Sequence, residues 1–135
     1  MVANTSPIFK RAPSIQWTGP ITAAHGTLDG TGPAEVLYTA GLEGAQVDRI
    51  LVNQLGDNSA ANSVMLMLFV NNGQSPAVAA NNCLLRRWQV APGLNGIQTW
   101  DFATDLGLDP GYRLLLAVDV TLTAGFKAAA LGGPF

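Results

Sequence analysis

Glycine, proline, asparagine and aspartate interrupt this chain every 8 to 15 residues, and short apolar or alternating stretches lie between the interruptions. No window of 12 residues carries a helical apolar period free of glycine or proline. This rhythm is typical of β-sandwiches and barrels. We therefore predict an all-β fold with a single antiparallel β-sandwich of about eight strands. Either a jelly roll or a simpler Greek-key sandwich fits the pattern.

The predicted domain organisation is one sandwich preceded by an arm. Residues 1–13 have no strand pattern and are predicted as an extended N-terminal arm, while residues 14–135 form the β-sandwich domain. The tail after residue 131 contains two glycines and a proline and is predicted to be irregular. The predicted strands are 14–23, 35–39, 47–55, 63–70, 83–90, 97–102, 112–120 and 126–131.

Two of these strands, around residues 64–70 and 114–118, are apolar on both faces. A strand with one face in water normally alternates apolar and polar residues. Either a loop of the same chain covers the outer face of these strands, or that face contacts another subunit. Periodicity alone cannot separate the two alternatives.

Charge is scarce, since 12% of the residues are charged and 48% are apolar. An ordinary soluble domain has about 25% charged residues. A surface this neutral favours contact with protein, so we expect a subunit of an assembly that also binds itself as a dimer or trimer. The net charge of −2 and the lack of a basic block argue against nucleic acid as a partner. The longest apolar run is residues 64–70, which is too short to span a membrane, and the first residues do not resemble a secretory signal.

Catalytic and metal-binding patterns are missing from the sequence. The single histidine, His25, lies in a glycine-rich segment without a nucleophile motif and is interpreted as an ordinary loop residue. The single cysteine, Cys83, is predicted to be a small core residue, and one Cys with one His cannot form a structural zinc site. We therefore predict a protein that is not an enzyme and holds no cofactor and no metal.

Residue type suggests where an assembly subunit would make its contacts. Aromatic and arginine side chains are enriched at protein interfaces. The predicted contact residues are Ile8 and Phe9 in the arm, and Arg86, Arg87 and Trp88 in the fifth strand. An alternative assigns the three tryptophans, at positions 17, 88 and 100, to a carbohydrate-binding platform.

Several short segments form an ordered series over nearly the whole chain: Ala3-Asn-Thr-Ser-Pro-Ile-Phe9, Leu28-Asp-Gly-Thr-Gly32, Thr39-Ala-Gly41, Gly44-Ala-Gln-Val-Asp-Arg-Ile50, Val70-Asn-Asn-Gly73, Leu108-Asp-Pro-Gly-Tyr112, Ala124-Gly-Phe126 and Gly132-Gly133. The series resembles small structural proteins of tailed bacteriophages and prophages. Each segment is short and typical of turns, so the resemblance depends on their order.

The resemblance implies a structural protein of the virion, assembled in the cytoplasm of a bacterial host. By extension it suggests a capsid decoration, or cement, protein whose partner is the major capsid protein of a phage head. A component of the tail or of a fibre, and a small carbohydrate-binding module, remain as alternatives.

Overall fold

The computed structural model describes residues 12–58, 63–91 and 99–135. Within these ranges eight strands form two antiparallel four-stranded sheets, and one 3₁₀ turn spans Ala79–Asn81. The strands are β1 Ser14–Trp17, β2 Glu35–Thr39, β3 Ala45–Gln54, β4 Val64–Asn71, β5 Asn82–Val90, β6 Thr99–Leu108, β7 Arg113–Val118 and β8 Phe126–Pro134. Sheet 1 has the order β1-β8-β3-β6, and sheet 2 has the order β2-β7-β4-β5.

The strand order has the connectivity of a jelly roll. β1 pairs with β8, β2 with β7, β3 with β6 and β4 with β5, so the chain behaves like one long hairpin that is folded over. Two Greek keys that share a sandwich give this order. The predicted eight-stranded antiparallel sandwich is therefore confirmed, and of the two topologies considered the jelly roll is the one observed.

The core lies between the two sheets. β3 contributes Val47, Ile50 and Val52, which are fully buried, and β7 contributes Leu114 and Leu116 from the opposite sheet. Burying one such aliphatic side chain is worth about 1.5–3 kcal/mol. Because this core joins β3 to β7, residues far apart in sequence hold the two sheets together.

The two sheets are also joined along one lateral edge, where β1 lies beside β2. The side-chain amide of Gln16 donates to the Thr39 carbonyl at 3.1 Å, and its oxygen accepts from the Thr39 N–H at 2.8 Å. The hydroxyls of Ser14 and Tyr38 are 2.9 Å apart. One glutamine thus makes both hydrogen bonds that a neighbouring strand would make with Thr39.

The prediction of an irregular tail was wrong. β8 continues to Pro134, and Gly132 pairs with Ser14 on one side and with Val47 on the other. A Cβ at position 132 would overlap the Gln46 carbonyl oxygen, so the close approach of β8 to β3 requires glycine there. The pair of glycines, interpreted as a sign of irregular chain, instead permits this strand contact.

Two further boundaries differ from prediction. β1 ends at Trp17 rather than near residue 23, because Gly19-Pro20 interrupts the strand, and Ile21 returns only as an isolated bridge to Phe126. β6 runs on to Leu108 through an irregularity in its pairing with β3, where Asp105 has a φ of 46°. The predicted arm lies almost entirely outside the described residues and stays a prediction.

Replacing Gly132 with alanine tests the close approach of β8 to β3. We expect Gly132→Ala to lower the free energy of unfolding by about 1–3 kcal/mol, the usual cost of forcing extra volume into a packed site. The control is Gly41→Ala, since a Cβ there has no neighbour within 4 Å. Urea unfolding measures both variants, and equal stabilities would contradict the assigned packing.

Candidate interaction surface

The outer face of sheet 2 is covered by the chain itself. Met67 and Phe69 on β4, with Leu115 and Ala117 on β7, form a second apolar cluster on this face and are buried. The ring of His25 packs on the ring of Phe69, with their centroids 5.1 Å apart. Of the two explanations for strands that are apolar on both faces, the structure thus shows a covering loop.

Hydrogen bonds hold this loop on the sheet. The His25 backbone N–H donates to the Val118 carbonyl at 2.8 Å, and its side-chain Nδ1 lies 2.9 Å from the Pro33 carbonyl oxygen. Because a carbonyl only accepts, Nδ1 carries a hydrogen. A Cβ at Gly32 would lie 3.0 Å from the same Nδ1, so the glycine lets the loop close tightly around the imidazole. His25 is 2% exposed and acts as a structural residue of the loop.

Asp29 organises the turn at the tip of the same loop. Its Oδ1 accepts from the hydroxyls of Thr27 and Thr31, each at 2.6 Å, and from the Thr31 backbone N–H at 3.0 Å. These bonds, chiefly those from the two threonine hydroxyls, lower the pKa of Asp29 to about 2. The ionised carboxylate therefore favours the folded form of the loop.

The outer face of sheet 1 differs because the part of the chain that the structure describes leaves it open. Ile15 and Trp17 on β1 are 57% and 65% exposed. In register, Ile15 lies beside Leu131 and Trp17 beside Ala129, and β3 places Arg49 and Leu51 next to these two β8 residues. We call this surface the open face; its residues are Ile15, Trp17, Arg49, Leu51, Asn53, Thr99, Asp101, Ala103, Lys127, Ala129 and Leu131.

A groove of about 390 Å³ runs over one half of the open face. Its floor is β8, where the outward side chain is only the methyl group of Ala129, and the indole of Trp17 forms a wall. Leu55, which is also exposed, and Asn53 line the other side. The groove therefore results from a small residue between larger ones on adjacent strands.

Polar groups on the open face pair with each other. Arg49 donates from Nε to Asp101 Oδ1 at 3.2 Å and from Nη2 to Asp101 Oδ2, which forms a two-point ion pair across β3 and β6. The hydrogen bond and charge of Asp101 raise the pKa of Arg49. The Thr99 hydroxyl donates to Asn53 Oδ1 at 2.7 Å. The centre of the face is thus apolar or internally neutralised.

The predicted contact residues of the fifth strand lie on a different edge, on β5. Arg86 and Arg87 are exposed, and Arg86 Nη2 donates to the Thr104 carbonyl at 3.3 Å. Trp88 is half-buried and stacks on Phe102 with centroids 4.3 Å apart, so its ring joins the two sheets. Ile8 and Phe9 lie outside the described residues, and the five residues stay predicted contacts.

The three tryptophans do not form one platform. Trp88 and Trp100 pack against the core, and the Trp100 ring lies 5.2 Å from Phe126, whereas Trp17 is exposed. Ile15 and Trp17 lie on the same side of β1 and were not among the contact residues predicted from the sequence. Their alternation with Ser14 and Gln16 was the available signal, although it does not tell which side faces the core.

The remaining residues that could act as nucleophiles or metal ligands do not form a common site among the described residues. Cys83 is exposed on β5, so its assignment to the core was wrong. Among the described residues, no three His, Cys, Asp or Glu side chains are grouped so that they could hold a metal ion. In that same part of the chain, no helix has the length and apolarity needed to cross a membrane.

No protein-family model matches the chain, and no curated protein matches it at a significant level.

The Asp29 turn predicts a pH dependence of stability. The pKa of Asp29 is lower in the folded chain than its ordinary value of 3.8, so its contribution is complete above that value and is lost as the pH falls to about 2. We expect the stability difference between the wild type and Asp29→Asn to shrink over this range. Urea midpoints measured between about pH 5 and pH 2 test this, and a constant difference would contradict it.

Proposed function

We propose that this chain is a non-enzymatic virion protein of a tailed bacteriophage that decorates the head shell and stabilises it. The observation that carries the proposal is the open face, on which Trp17 is 65% exposed. The chain as a whole has few charged residues, 12% of the total. Monomeric proteins seldom expose a contiguous apolar patch larger than a few hundred Å². The ordered series of turn segments supplies the phage context.

The fold is compatible with this role but does not decide it. Jelly rolls occur in viral capsid proteins and also in lectins and cupins. The rigid sandwich offers two sheet faces, of which one is covered by its own loop and one is open. That division suits a subunit that associates through one surface while its loops and arm reach another protein.

The partner in this proposal is the major capsid protein of a phage head, together with other copies of the chain. The arm with Ile8 and Phe9, and the exposed Arg86 and Arg87 on the β5 edge, are the proposed shell contacts. The protein would then reside in the phage particle after assembly in the host cytoplasm. A tail or fibre location is the alternative within the same phage context.

Binding to heads tests the proposal. Purified chain is mixed with heads that lack it, and we expect it to sediment with the shells and to raise their temperature of disruption. Electron microscopy of the decorated particle then locates the added density. Binding to tails without binding to heads would favour the tail location over the head shell. Binding to neither would contradict both locations.

A change in the arm gives a sharper form of this test. We expect removal of residues 1–12 to weaken shell binding while leaving the unfolding midpoint unchanged, because the sandwich begins at Ser14. Within the full chain, Ile8→Ser with Phe9→Ser should have the same effect, and Asn4→Ala with Thr5→Ala is the matched control. Equal binding by both double variants would remove the arm from the interface.

A carbohydrate-binding module remains a second candidate because of Trp17. An exposed indole beside the groove, with the polar side chains of Asn53 and Lys127 at its rim, is an arrangement that can stack on a sugar ring. Glycan-array binding that is lost in Trp17→Ala and kept in Trp88→Phe would favour this function. No binding by the wild type would dismiss it.

A further inference from the structure

We propose that the open face binds a second copy of this chain, face to face, about a two-fold axis that lies in the interface perpendicular to the strands. The inference deepens the self-association included in the proposed function. It can be tested on the purified chain without any phage shell. Failure to dimerise would therefore leave the shell-binding proposal standing, and failure to bind shells would leave the dimer standing.

The size of the face suits a dimer. Four strands of four to ten residues, spaced about 4.8 Å apart and rising about 3.4 Å per residue, span roughly 500–600 Å² in projection. Protruding side chains such as Trp17 make the accessible area larger than the projection. A standard protein interface buries about 800 Å² from each partner, so the face has the required order of magnitude.

Two outward rows of side chains give the face a complementary shape. One row crosses Trp17, Ala129 and Leu51, and the next crosses Ile15, Leu131 and Arg49. The proposed axis runs between the two rows. It places the row of Trp17 in one copy opposite the row of Ile15 in the other copy. Leu131 of the second copy then enters the groove above Ala129, and Ile15 of the second copy lies against Trp17.

The charges of the face also suit a second copy. In a two-fold contact every group meets the same kind of surface from which it came, so unpaired charge at the centre would face like charge. Arg49 and Asp101 neutralise each other within one chain. This internal pairing leaves a centre that tolerates its own copy.

The two ends of the face carry opposite charge. Lys127 lies at the end where β8 pairs with Asn53, whereas Asp105 lies at the other end, beyond Ala103 on β6. Both side chains are exposed. The proposed axis exchanges the two ends and brings the lysine end of one copy towards the aspartate end of the other. An axis parallel to the strands would instead place lysine near lysine.

The oligomeric state and one substitution test the interface. We expect the wild type to have twice the chain mass by light scattering, and Ala129→Arg to raise the dissociation constant at least about tenfold by filling the groove with a charge. The control is Ala80→Arg, because Ala80 is exposed on the 3₁₀ turn away from sheet 1. A monomeric or trimeric wild type, or equal effects of the two variants, would overturn the proposal.

Cross-linking tests the axis without relying on a groove variant. Ile15→Cys and Trp17→Cys are made in separate Cys83→Ser chains, mixed, and treated with a short bis-maleimide. Both positions are exposed, so the sandwich should tolerate the changes. We expect links between the two different variants to exceed links within each variant. A preference for links between identical variants, or no cross-linked dimer, would overturn the proposed arrangement.

Discussion

The packing of the His25 imidazole on Phe69 anchors the loop that covers the outer apolar cluster of sheet 2. Each sheet of a jelly roll has one face in the core and one face outside. On sheet 2 the outer face carries an apolar cluster, and the loop that carries His25 packs on it. Sheet 1 receives no comparable cover from the described chain. The outer faces of the two sheets therefore differ because the loop anchored by the His25–Phe69 contact covers only one of them.

The same difference between the two outer faces accounts for how a chain with so little charge can have both an apolar core and the open face that we propose for association. The covered face adds a second apolar layer to a small domain, which stabilises it without a disulfide. The open face retains apolar side chains on a sheet whose backbone is already ordered. Rigid aromatic and aliphatic groups lose little conformational entropy when a partner binds them.

Strand positions were largely predictable because the turn residues are local signals. β2 matches its predicted bounds, and β4, β5 and β7 differ by two residues or fewer at either end. The end of β8 was missed because Gly132 makes a contact with Gln46 on β3, 86 residues earlier in the chain, which no local pattern reveals. Local sequence patterns indicate the propensities of short segments. Glycine at position 132 is instead required by its contact with the backbone of another strand.

The candidate interaction surface was harder to predict than the fold. Alternation on β1 separates Ile15 and Trp17 from Ser14 and Gln16, but it does not say which pair faces the core. Here the polar pair faces the other sheet, because Gln16 and Ser14 bond to β2. On β5, an irregularity in pairing opposite Leu68 and Phe69 shifts the alternation, so the roles of the arginines and Trp88 could not be taken from parity alone.

The Gln16 amide has a consequence for behaviour at high concentration. An edge strand with free N–H and C=O groups can recruit a strand from another molecule, and repetition of that step produces fibres. At Thr39 both groups are already occupied by Gln16, so an incoming strand would have to displace the glutamine before it could pair. Gln16 thereby makes strand addition at this point of the β2 edge less favourable, whereas it leaves the side chains of the open face unaffected.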